Sequence, residues 1–152
     1  MKFNIISIGK FGNSSYQDLY FEYKKRLKYD VSLIELVLKK HYTNIDDEKK
    51  EEGKLLLSKC DADSMIISLD ERGKIITTNE FCTQINSYIN LGIMNINFII
   101  GGVYGLSQEV IKNSNYILSL GKMVFPHLMV RVILIEQLYR VWTLNNNHPY
   151  HK

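Results

Sequence analysis

The 152-residue chain carries 19 Lys and Arg against 16 Asp and Glu, a formal net charge of +3. That length suits one domain that buries roughly two-thirds of its unfolded surface. The small charge permits RNA as a partner but excludes a protein that binds nucleic acid by basicity alone. Cys60 and Cys82 lie far apart with no metal-ligand spacing, which argues against a disulfide framework or a zinc site and for a reducing cytosol. The apolar stretch at the start is too short for a signal peptide, and no run approaches the length needed to span a bilayer.

Residues 2–9 are apolar and β-branched, predicting a buried first strand. Ser14-Ser15 offers an N-cap for a helix through Lys28, with Tyr16, Leu19, Tyr20, Tyr23 and Leu27 on one stripe. Lys24, Lys25, Arg26 and Lys28 crowd its last turn, where positive charge complements the helix dipole; a solvated helix end and an RNA-facing patch are both open readings. Residues 31–37 predict a second strand and residues 39–47 a loop. Asp46-Asp47 then starts a helix through Lys59 whose charged first half faces water. Residues 64–70 form a third strand ending in the polar turn Glu71-Arg72-Gly73-Lys74. Thr77 with Glu80 makes a capping box for a helix through Asn90. Residues 96–100 and 116–119 read as strands, with a helix beginning near Ser107 between them. Pro126 falls in the first turn of a last helix, apolar from Leu128 to Leu144. Strands alternating with helices predict an α/β domain with a largely parallel sheet and helices on both faces.

Three loops, residues 69–73, 101–105 and 120–125, leave strands at the C-terminal edge of that sheet, where parallel sheets place ligands. Gly101-Gly102-Val103-Tyr104-Gly105 is neither a dinucleotide fingerprint nor a Walker loop, and alone it is explained by a tight strand-to-helix turn. With the other two loops it describes a cleft for a nucleoside-like ligand, walled by Leu69, Leu120, Met123 and Phe125 and open to backbone approach at Gly101, Gly102 and Gly121. His41, His127, His148 and His151 offer no metal pair, and no Gly-x-Ser-x-Gly elbow is present. Glu136 and Arg140 are spaced for a helical ion pair, whereas Arg131 lies nearer the cleft and is a candidate to contact RNA or a partner subunit. The ending Asn147-His148-Pro149-Tyr150-His151-Lys152 combines groups able to stack a base and hold a phosphate.

These segments, with Ile8-Gly9-Lys10 and Glu22-Tyr23, closely resemble the large-subunit rRNA methyltransferase H family, the minimal members of the SPOUT class. The resemblance runs nearly end to end. It implies a SPOUT-type α/β knot, threaded as a C-terminal trefoil, acting as a cytoplasmic homodimer without a metal or a membrane. It implies S-adenosyl-L-methionine as cofactor, held by Leu69, Gly101, Gly102, Leu120, Gly121, Lys122, Met123, Val124 and Phe125. It also implies methyl transfer to N3 of a pseudouridine in 23S rRNA within the ribosome, with Tyr150, His151 and Lys152 on the substrate side. Chemistry adds His151 as acceptor of the N3 proton, with Lys152 or Arg131 stabilising the developing anion. A tRNA-directed methyltransferase and a non-catalytic ribosome-binding assembly factor are the alternative readings.

Overall fold

The sheet is built from the five apolar segments that the sequence separates with polar helices. The computed structural model describes residues 1–151. In chain order the elements are β1 (Lys2–Ile8), α1 (Ser15–Arg26), β2 (Asp30–Leu36), α2 (Ile45–Leu57), β3 (Met65–Ile75), α3 (Thr78–Asn90), β4 (Asn95–Ile100), α4 (Gln108–Asn113), β5 (Tyr116–Ser119) and α5 (His127–Asn145). The strand order is β2-β1-β4-β3-β5, and each neighbouring pair is parallel. Parallel strands need crossovers, and here helices supply them on both faces.

Alternation along β1 divides the core. Phe3 and Ile5 pack with residues of α1, α3 and α5, whereas Ile6 and Ile8 pack with α2 and α4. Asn4 and Asn97 are register partners on β1 and β4, and the buried Asn4 amide donates to Asn97 Oδ1 at 2.8 Å. α3 starts at the expected capping box, with the Glu80 amide donating to Thr77 Oγ1 and the Thr77 amide to Glu80 Oε2.

Two local expectations change. The polar run Glu71-Arg72-Gly73-Lys74 belongs to β3 rather than to a closing turn, because β3 meets β5 again beyond an irregularity; Leu69 and Lys74 both oppose Leu118. Pro126 is the N-cap of α5 rather than part of its first turn, with ψ of 133°. After edge strand β5 the chain returns across the sheet, where α5 packs on α1, α3 and β4. That path is consistent with trefoil threading. Its near-continuous apolar surface follows, since Leu134, Ile135, Leu138 and Val141 are each 0% exposed.

Candidate active site

The C-terminal ends of β3, β4 and β5 open into a cleft of about 770 Å³, a volume ordinary for a small-molecule site. Leu69, Gly101, Gly102, Leu120, Gly121, Met123, Val124 and Phe125 all line it. Lys122 is exposed and does not, so the third loop offers the cleft its apolar side chains.

Each loop is shaped from within. A Cβ on Gly101 would fall 2.9 Å from the Gly105 carbonyl carbon, and one on Gly102 would fall 2.6 Å from Glu52 Oε1. The Gly102 requirement therefore comes from the protein behind the loop, not from the cleft in front of it. The Gly105 amide closes the turn by donating to the Gly102 carbonyl at 3.1 Å. In the third loop Gly121 has φ of +146°, a conformation that side chains rarely adopt. Ser119 Oγ holds it there, accepting from the Gly121 amide at 3.2 Å and donating to its carbonyl at 2.8 Å.

Sequence reading missed the charged wall, to which Arg72 also belongs. Asp70 and Glu71 line the cleft, and Arg72 grips Asp70 with Nε on Oδ1 at 2.7 Å and Nη2 on Oδ2 at 2.8 Å. That hydrogen-bonded pairing holds the Asp70 carboxyl below its usual range, against the opposing effect of burial. Lys49 of α2 also reaches the cleft, from a helix that charge patterning consigned to water. Among the described residues no group of three or more His, Cys, Asp and Glu side chains is arranged to hold a metal ion.

His127 lines the cleft at the start of α5, and burial, reinforced by Arg131, lowers its pKa and favours the neutral imidazole. Arg131 itself is turned inward. It is 0% exposed, with Nη1 on Glu35 Oε1 at 2.9 Å and Nη2 on the carbonyls of Ile8 at 2.7 Å and Gly9 at 3.1 Å. Its guanidinium also lies 4.8 Å from the centre of the Phe11 ring. The expected contact with RNA or a partner is thus replaced in this geometry by a pin between α5 and the end of β1.

The tail is folded onto α5. The Tyr150 hydroxyl donates to Glu136 Oε1 at 3.0 Å and lies 3.3 Å from the Tyr23 hydroxyl, while its ring meets Tyr139 edge-on at 4.7 Å. Burial first, then those two oxygen partners, push the Tyr150 phenol upward and keep it neutral. Arg140 forms the expected pair with Glu136 at 2.6 Å and brings Nη1 to 3.3 Å from His151 Nδ1. Lys152 lies outside the described residues. Neither Tyr150 nor His151 lines the cleft of its own chain. Their anchors at Glu136 and Arg140 stand roughly 14–20 Å along α5 from His127, at about 1.5 Å per residue.

A family model described as "Predicted SPOUT methyltransferase" matches residues 1–151. The fold is shared with a probable methylase family protein from Haemophilus influenzae, with a TM-score of 0.57 at 14% identity over 99% of this chain and 70% of that one. A putative methylase family protein from Neisseria gonorrhoeae gives 0.58 at 13% identity over 91% and 81% of the two chains. Fold and family model together define a methyltransferase of the SPOUT class. The chain is also 41% identical to ribosomal RNA large subunit methyltransferase H 1 of Clostridium perfringens over 159 residues, with 100% of both chains covered. It is 39% identical to ribosomal RNA large subunit methyltransferase H of Flavobacterium johnsoniae, with 99% of each covered. Within its class, the chain belongs to the ribosomal RNA large subunit methyltransferase H family.

Proposed function

We propose that this enzyme methylates N3 of a pseudouridine in 23S rRNA of the ribosome, with S-adenosyl-L-methionine as donor. The observation that carries the reading is the cleft of three loops at the C-terminal sheet edge, in a chain whose full-length relatives are named for rRNA methylation. The residues present fit the donor. Leu69, Leu120, Met123, Val124 and Phe125 supply apolar walls for an adenosine and a methylthio group, and the loop backbones supply hydrogen-bonding edges. Asp70 is paired with Arg72 on the same wall, which leaves Glu71 as the carboxylate there for a cationic ligand. Lys122, expected on the donor side, sits at the rim of the same loop. When bound, the donor supplies an already activated sulfonium methyl group.

The protein's remaining tasks are alignment and removal of the N3 proton. His151 is the proton acceptor in this reading, with Tyr150 stacking the base and Lys152 near its phosphate. Because the tail rests far from its own cleft, it serves the cleft of a second copy, and a homodimer completes each site. His127, neutral and inside the cleft, orients the incoming base. Arg131 acts through His127 and the end of β1, not on the substrate. The small net charge suits a large preformed surface, the assembled cytoplasmic ribosome, better than free RNA.

The test is methyl transfer from labelled donor to intact ribosomes, free large subunits and tRNA. Labelling of 23S rRNA is the expected result. Labelling of tRNA alone, or ribosome binding without transfer by a donor-loaded protein, would replace this reading with one of its two alternatives.

A further inference from the structure

We infer that Glu52, on α2 behind the glycine loop, is a positioning residue for methyl-donor binding; the inference rests on the donor cleft proposed above. Glu52 is 6% exposed, although it sits in a helix whose acidic first turn, Asp46 and Asp47, lies at the surface. Its two carboxylate oxygens lie 2.6 and 2.8 Å from where a Gly102 Cβ would stand, and the Gly102 backbone is near enough to the carboxylate to oppose the upward shift of its pKa. Oε2 has no hydrogen-bond partner among the described residues. The next residue repeats the pattern, since a Cβ on Gly53 would overlap the hydroxyl of Ser107, the N-cap of α4. Glu52 and Gly53 therefore seat both ends of the segment between Gly102 and Ser107.

Stability alone does not account for a carboxylate here. Burying a charge with one oxygen unpaired is unfavourable, and neighbouring core positions hold Leu56 and Val110. What the carboxylate adds is direction. It draws the Gly102 amide toward α2, while the Gly105 amide donates to the Gly102 carbonyl, so the loop is held at Gly102 from two sides. The loop is thereby fixed before any ligand arrives, and binding loses less conformational entropy. α2 also touches the cleft directly through Lys49, one turn before Glu52, so the helix has a route to the bound donor.

Calorimetry of S-adenosylmethionine binding to wild type, Glu52→Gln, Glu52→Met, Gly102→Ala and Gly102→Ala/Glu52→Ala tests this, with thermal melts run alongside. Glu52→Met keeps the volume and loses the acceptor; it should weaken the donor about tenfold, the size of one lost charge-assisted hydrogen bond. Glu52→Gln keeps an acceptor and should bind nearly as wild type. Gly102→Ala should bind poorly, and the double variant should recover only to the level of Glu52→Met, because truncating Glu52 makes room for the new methyl but removes the acceptor. In turnover, the donor KM should rise in Glu52→Met while the ribosome KM stays unchanged. Wild-type affinity in a folded Glu52→Met or in the double variant overturns the inference while leaving the donor cleft standing. Failure of the wild-type protein to bind donor removes the cleft reading and this inference with it.

Discussion

Arg131 and Glu35 meet at 2.9 Å with unequal burial, the arginine side chain 0% and the glutamate 25% exposed. The pair, with the two carbonyls that Arg131 also holds, fixes the start of α5 and hence His127 at the cleft. Unequal burial decides which half is more costly to lose. Glu35→Ala strands a buried cation and should cost about 3–5 kcal/mol, whereas Arg131→Met removes the charge with its burial and should cost less. Urea denaturation of both variants and of the double variant measures this, and the double should fall well short of the sum.

Deleting residues 150–152 should abolish methyl transfer while sparing donor affinity, because the tail lies away from the cleft of its own chain. A Gly101→Val chain, whose new side chain would strike Gly105 and Leu106, should lose donor binding instead. Mixing the two should restore activity in heterodimers, each holding one complete composite site. Confirmed heterodimers without activity would show that cleft and tail act within one subunit.

His151→Ala should depress turnover more at neutral than at alkaline pH, where solution removes the N3 proton unaided. His127→Gln should lower turnover evenly across that range. A pH-dependent defect in His127→Gln and an even one in His151→Ala would exchange the two roles.

Glu52 also predicts a stability signature. Burial, then Glu48, raise its carboxyl pKa, so the folded state holds that proton more tightly than the unfolded chain. Such a group contributes stability at low pH that is lost as pH rises through the folded pKa. Glu52→Gln should therefore melt above wild type near neutral pH, with the gap closing as pH falls and the carboxyl in the wild type protonates. Equal melting curves at every pH would mean that the carboxylate is not strained.

Elements set by neighbouring residues were legible. The Thr77–Glu80 box, the bounds of β5 and the start of a helix near Ser107 all depend on contacts within one turn or one strand. The continuation of β3 was not, since Glu71 to Lys74 carries turn residues and the strand resumes its pairing only where Lys74 and Ile75 meet β5, more than forty residues away. Arg131 read as a polar residue near a cleft, because only the packing of β1 and β2 against α5 shows it sealed in. Lys122 shares a motif with cleft residues but points elsewhere, a distinction that a loop's sequence does not encode. Glu52 was hidden within a run of charges. Its one local trace is Gly53, a glycine inside a helix, which marks close backbone approach on that side.

The amide pair of Asn4 and Asn97 acts as a key between strands far apart in the chain. β1 and β4 are largely built from interchangeable apolar residues, so burial alone would tolerate sliding one strand along the other. A slip would place an amide opposite an isoleucine or phenylalanine and leave its hydrogen-bonding groups unmet. Correct alignment of β4 against β1 brings the end of β4, and with it Gly101, to the height at which the three loops converge. The assembly of the cleft is thus decided inside the sheet, by two buried side chains that do not line it.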